Sequence, residues 1–188
     1  SRFSIERKGL ELWTPENPKL YDLSLKIING GETVYKEELR VGFREITRRD
    51  GKILINGTPF YMKGLLDQDF YPETHYVHPS KEYLKKQFLR IKSLGFNTLR
   101  YHVKTPPREY VELADELGIM LWIDLPYAMK FDTGSKKYLK KLRNDLMERY
   151  SKDPSFCILT LINESWGVNL NEKDEMEWLK EFWTDSKD

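Results

Sequence analysis

Cysteine is almost missing from these 188 residues: Cys157 stands alone, so no disulfide can form within the chain and the redox compartment stays open. No excess charge of either sign is present. Lys and Arg total 31 against 30 Asp and Glu, a formal net charge of +1, and nothing in that balance argues for nucleic acid or a membrane surface as partner. No apolar run reaches the 18 residues a membrane helix needs, and no signal-peptide pattern opens the chain. An initiating Met is also lacking. The opening "SRFSIERKGL" suggests a piece of a longer protein, so the missing signal says little about location. What is present suffices for a core: 39% of residues are apolar and five are Trp, which suits one or two folded domains rather than a disordered chain.

The chain changes character near residue 50. Before it, alternation of period two dominates. "KLYDLSLKII" sets Tyr21, Leu23, Leu25 and Ile27 on one face, and "ETVYKEELRVGF" resumes through Leu39, Val41 and Phe43 after the turn signal Asn29-Gly30-Gly31. Asp50-Gly51 and Asn56-Gly57 flank "KILI", and Asn-Gly between apolar runs predicts a hairpin. After residue 57 short apolar strands alternate with helical periods. The strands are expected at 60–66, 97–103, 118–125 and 156–163. Leu84, Phe88 and Ile91 mark a helix capped by Ser80. Tyr110, Leu113, Ala114 and Leu117 mark one opened by Pro106-Pro107 and closed by Gly118. Leu139, Leu142 and Leu146 mark a third, and Met176, Leu179 and Trp183 a fourth. Apolar strands separated by helices predict a parallel sheet covered by helices, an α/β fold.

A doubly wound sheet and a (β/α)8 barrel both fit this rhythm. The first strand is not followed by a Gly-rich phosphate loop, which weakens a nucleotide-binding reading. Polar residues gather at the strands' carboxyl ends: Asp67, then Arg100 and His102, then Asp124, then Asn163 and Glu164. That is the face on which barrel enzymes build their sites. Residues 52–188 hold four βα units where a whole barrel needs roughly 250 residues, so half a barrel is expected.

The chain resembles glycoside hydrolase family 2, the family of β-galactosidases, β-glucuronidases and β-mannosidases. The likeness rests on five stretches in the family's order: "LWTPENPKLYDLSLKI", "VGFREI", "DGKILINGTPFYMKG", "LGFNTLRYHVKTPPREYVELADELGIMLWIDLP" and "DPSFCILTLINESWG". It implies residues 1–47 as the last strands of an immunoglobulin-like β-sandwich and 48–188 as the N-terminal half of a TIM barrel. It also implies a retaining O-glycosyl hydrolase acting on a β-glycoside, β-galactosidase-like by default. In the family the Glu of the Asn-Glu pair is the general acid/base, here Glu164. The Asn before it reads the sugar 2-hydroxyl, here Asn163, and the Arg of the second strand lies beside the nucleophile, here Arg100. His102 and Asp124 are expected pocket residues by position, Asp67 by its place at the end of the first strand, and Trp166 by the aromatic face it offers a sugar ring next to Glu164. The family nucleophile, a Glu ending the seventh strand, is expected outside this chain. An acid in this role works best where water is scarce, so Glu164 is expected to be poorly solvated.

Some residues depart from the family pattern. Gln68 stands near the position of a family His, and "DLP" replaces Asp-Glu after the third strand. Of a different class is the alternative of a non-catalytic carbohydrate-binding relative or assembly module. No motif calls for a metal or cofactor. The H-x-x-H pair His75 and His78 has no Cys or further His close by and reads as solvent-exposed loop. "KKYLKKLR" reads as the wet face of the third helix, and the sequons at Asn56 and Asn163 as chance matches. Taken alone, the chain is expected to lack hydrolytic activity and to self-associate through open barrel edges.

Overall fold

Glycine-bearing turns set the first part of the chain, and the computed structural model, which describes residues 6–187, has them where the sequence asks. β1 (Tyr21–Asn29) and β2 (Glu32–Val41) pair antiparallel around Gly30-Gly31. β3 (Ile46–Arg49), β4 (Lys52–Ile55) and β5 (Thr58–Phe60) form a meander. Its two turns, Asp50-Gly51 and Asn56-Gly57, have φ between 51° and 78° at all four residues, the left-handed pair that matches strand twist in a two-residue hairpin. Leu23, Ile27, Ile28, Val34 and Tyr35 of the first hairpin remain exposed.

A four-stranded parallel sheet follows, ordered β6 (Gly64–Asp67), β7 (Thr98–Tyr101), β8 (Met120–Asp124), β9 (Phe156–Thr160). Between and after the strands run α1 (Lys81–Ser93), α2 (Arg108–Leu117), α3 (Thr133–Tyr150) and α4 (Lys173–Thr184). Neighbours in sequence are neighbours in space, and all four helices bury side chains in one core against one sheet face. Phe88, Tyr110, Leu146 and Phe182 meet Leu99, Leu121 and Ile123 there. The other face carries Thr98, Arg100, Met120, Trp122 and Asp124, as the period of two requires. The helix ends follow the sequence signals. Ser80 accepts the Tyr83 N–H at 3.1 Å, and Gly118 (φ 69°) ends α2 where a Cβ would lie 2.1 Å from the Pro15 carbonyl oxygen.

The segment before the parallel sheet clamps its amino ends. Trp13 is fully buried with Ile55 against Met120, and its indole donates to the Asp115 carbonyl at 2.9 Å. Arg44 donates to the carbonyls of Pro154 (3.1 Å) and Phe156 (2.6 Å), fixing the entry to β9. The pairing of β8 with β9 slips by one residue at Cys157, whose thiol approaches the Leu121 carbonyl at 3.1 Å; burial pushes that thiol up to about 12.

Several expected boundaries move. The strand expected at 60–66 is two elements, because Phe60 pairs with Ile53 in the meander. The Asn97 side chain holds the bend between them through Lys63 N (2.8 Å) and Tyr61 O (2.9 Å). The strand expected to reach residue 163 stops at Thr160, whose carbonyl takes the last rung from Leu125 N at 2.9 Å; Pro126 then offers no N–H. In α4 the buried residues are Trp178 and Phe182, while Trp183 is exposed and flanks the free edge of β9 with Leu161, Met176 and Leu179.

Asp115 is one of four buried acids among the described residues. It accepts the Ser155 N–H at 2.9 Å, and Asp153 beside it is held by two 2.6 Å bonds from Arg108. Burial raises Asp115 from 3.8 to about 7; the hydrogen bond from Ser155 opposes this and the Asp153 charge adds to it. A folded-state value above the unfolded one means the folded protein binds the proton more tightly. The stability from this group is therefore complete below about pH 4 and lost as pH rises through 7. Asp115→Asn keeps an acceptor for Ser155 and removes the titration. We expect it to gain roughly 2–4 kcal/mol on the parent chain between pH 5 and pH 8 in urea unfolding; parallel stabilities across that range would refute the assignment.

Candidate active site

The carboxyl ends of β7, β8 and β9 meet at one guanidinium. Arg100 Nε lies 3.1 and 3.0 Å from the two carboxylate oxygens of Asp124, and its Nη2 donates to Asn163 Oδ1 at 2.8 Å. The cation also lies over the Trp122 ring, 4.8 Å from its centroid, and Trp122 Nε1 donates to Thr160 Oγ1 at 2.5 Å. Asp124 is fully buried, whereas the Arg100 side chain is 28% exposed. A buried carboxylate held by one arginine is costly to unpair, about 3–5 kcal/mol. Asn163 is buried as well, and its Nδ2 has no hydrogen-bond partner among the described residues. Such a buried donor costs about 1–3 kcal/mol unless something fills it. Burial of Asn163 and the two side-chain bonds of Asn56, to Glu45 N (2.8 Å) and Trp13 O (3.0 Å), occupy both sequon positions.

The end of β6 is built of acids and phenols. Tyr110 donates to Asp67 at 2.7 Å and Tyr101 to Asp69 at 2.5 Å, while Lys104 stands 3.7 Å from Asp69. Burial, reinforced by Asp69 for Tyr101 and by Asp67 for Tyr110, raises both phenols, so they remain donors. Asp67 is thereby tied to the helix side of the sheet. His102 is half-buried, with its backbone N–H on the Asp67 carbonyl at 2.9 Å.

Glu164 is exposed, contrary to the expectation of a poorly solvated carboxyl. It does not end a strand. It sits four residues beyond β9 in a turn where Glu164 (φ 50°) and Ser165 (φ 56°) are both left-handed and Trp166 N bonds back to Asn163 O at 3.0 Å. Two such residues store strain of about 1–3 kcal/mol each, a feature that gathers at functional sites. The turn is pressed onto the loop after β8. A Cβ at Gly167 (φ 78°) would lie 1.9 Å from the Ala128 carbonyl oxygen, and Trp166 meets Tyr127 edge-on at 4.7 Å and 80°. Trp166 remains 41% exposed, an aromatic face open beside Glu164.

Arg100, Asp124 and Asn163 are thus in contact and Glu164 and Trp166 adjoin them in sequence, while Asp67 belongs to a separate cluster with Asp69. Trp122, Thr160 and Tyr127 escaped the sequence reading. Trp122 was reachable, since it stands two residues before Asp124 and shares its face. His78 is a correction: it is buried, not exposed loop, and its Nε2 pairs with Glu109 at the start of α2, whereas His75 is exposed. The intervening turn places His78 inward because Tyr71 and His75 bond to each other through their backbones, both at 2.8 Å. Among the described residues, no three His, Cys, Asp or Glu are grouped to hold a metal ion. A cleft of about 680 Å³ lies on the outer shoulder of these strand ends, between His78, Lys104, Pro107 and Glu109, and not over Arg100. Four strands present the Arg100 face as an open surface.

Residues 2–44 match the family model described as Glycosyl hydrolases family 2. The β-galactosidase of Lactococcus lactis is 29% identical over 186 residues, covering 92% of this chain and 18% of the relative. A putative β-glucuronidase of Formosa agariphila is 27% identical over 187 residues, covering 96% of this chain and 22% of its own length. This chain therefore spans about a fifth of the length of these curated relatives. Among solved structures, the β-glucuronidase of Ruminococcus gnavus in complex with D-glucuronic acid superposes with a TM-score of 0.86 at 22% identity, over 95% of this chain and 31% of that one. A likeness at that identity is one of fold.

The contact under Gly167 is testable by itself. Gly167→Ala forces a methyl into the Ala128 carbonyl at a left-handed backbone position, and we expect a loss of about 2 kcal/mol or more in unfolding free energy together with a blue-to-red shift in Trp166 emission as the turn lifts. An unchanged melting curve would mean that the two loops do not touch.

Proposed function

We propose that this chain belongs to glycosyl hydrolases family 2 and carries the acid/base half of a retaining β-glycosidase. The observation that carries this reading is the Asn163-Glu164 pair at the carboxyl end of β9, with the Arg100 guanidinium on Asn163. The sequential strand order and the shared helix face support four of the eight units of a TIM barrel in residues 48–188. The hairpin β1–β2, with its apolar residues uncovered, supports residues 1–47 as the last strands of an immunoglobulin-like sandwich.

The chemistry needs two carboxyl groups about 5–5.5 Å apart. Glu164 gives its proton to the glycosidic oxygen as the bond to C1 breaks, and a carboxylate on the opposite side of the sugar bonds to C1. Glu164 then takes a proton from water, which attacks C1 and frees the sugar with retained configuration. The second carboxylate is a Glu of the longer polypeptide, beside Arg100. Asn163 reads a sugar hydroxyl, Trp166 offers its face to the ring, and His102 stands at the rim. The exposure of Glu164 is then a property of the open half: the wall that excludes water comes from the other strands. β-Galactosides are the first substrates to try, with β-glucuronides next, since the relatives carry both names.

The longer polypeptide containing this chain is expected to turn over a nitrophenyl β-glycoside. Glu164→Gln should lower kcat about 10²- to 10⁴-fold with partial recovery by added azide; an unchanged rate would overturn the role of Glu164 and favour a binding protein. The 188-residue chain alone should show no turnover. Its free β9 edge, lined by Leu161, Met176, Leu179 and Trp183 around about 380 Å³, should give a mass that rises with concentration in sedimentation equilibrium.

A further inference from the structure

Asp124 cannot itself be a ligand contact in this arrangement, because it is fully buried and both its oxygens face Arg100. Its effect has to pass through the guanidinium. Arg100 has donors only, so the atom of Asn163 that meets its Nη2 at 2.8 Å is the amide oxygen. The NH2 end then points away from Arg100, and it is this Nδ2 that is buried without a partner among the described residues. The orientation of the amide is therefore set by a charge two side chains away. Without the carboxylate, a flexible arginine is free to leave, and the amide can turn its oxygen outward.

We infer that Asp124 is a positioning residue, which through Arg100 locks Asn163 as a hydrogen-bond donor toward ligand. The site then selects an acceptor oxygen at that point and rejects a group that can only donate. The stacking of Arg100 over Trp122 holds the cation against sideways motion but leaves rotation about its long axis free, and the Asp124 carboxylate removes that freedom. The catalytic consequence rests on the acid/base reading above, whereas the locking itself does not.

The experiment is nitrogen-15 NMR of the 188-residue chain, following Arg100 Nε–H and the Asn163 side-chain NH2, with Asp124→Asn and Arg100→Lys as variants. In the parent chain Arg100 Nε–H should exchange slowly with solvent, and Asn163 should give one NH2 pair. Asp124→Asn should speed Arg100 Nε–H exchange at least tenfold and shift or broaden the Asn163 pair, with backbone amides of α1 and α2 unmoved. Arg100→Lys keeps a cation for Asp124 and serves if the first variant fails to fold; it should move the Asn163 pair alike. Asn163 signals unchanged in the folded variants overturn the proposal. In the longer polypeptide, Asp124→Asn should lower kcat/KM about 10- to 100-fold without moving the pH profile, and parent-like kinetics would confine the locking to structure. Altered NMR signals together with a fully active Glu164→Gln would keep the locking and discard the glycosidase reading.

Discussion

A guanidinium inside an α/β sheet must be neutralised, held flat and given acceptors, and Arg100 finds all three on β8 and on the segment just beyond β9. Asp124 of β8 supplies the charge, Trp122 of β8 the flat support, and Asn163 beyond β9 the second acceptor. Backbone pairing joins the three strands up to Thr160, and beyond it this one side chain ties Asn163 to the end of β8. Beneath this polar layer lies a dry one, where Met120, Ile55 and Trp13 close the amino ends. The inner face thus grades from apolar to charged within the length of a five-residue strand.

What was legible in the sequence was local. Asn56-Gly57, Ser80 and Gly118 act through their own backbone or a hydroxyl three residues away, and each stands where the spacing put it. Strand ends were less legible because the partner decides them: Phe60 follows Ile53 into the meander and leaves β6, and β9 stops when Pro126 ends the donors on β8. The polar strand ends were visible by position. The solvation of Glu164 was not, since it depends on two left-handed residues and on what faces them. His78 was hidden for a similar reason, its burial being settled by Glu109 thirty-one residues on.

Strain and close approach coincide in the turn after β9. Glu164 and Ser165 take up conformations that glycine prefers, while the actual glycine, two residues later, is reserved for the point where backbone meets backbone. The turn thus presents side chains where they are needed and omits one where it would collide. Elsewhere the buried acids are each answered by a nearby cation or donor, Asp153 by Arg108, Asp124 by Arg100 and Asp115 by the Ser155 N–H.

The slip in register at Cys157 has a consequence for how the outermost strand can be watched. A thiol pushed up by burial and turned toward the Leu121 carbonyl is protonated at neutral pH, and a protonated, partly buried sulfur reacts slowly with alkylating reagents. When β9 peels from β8, the same sulfur returns to water and to ordinary acidity. Because it is the chain's single cysteine, the rate of its modification follows the loosening of that edge, and the folded protein carries, without any added label, a reporter on its own last strand.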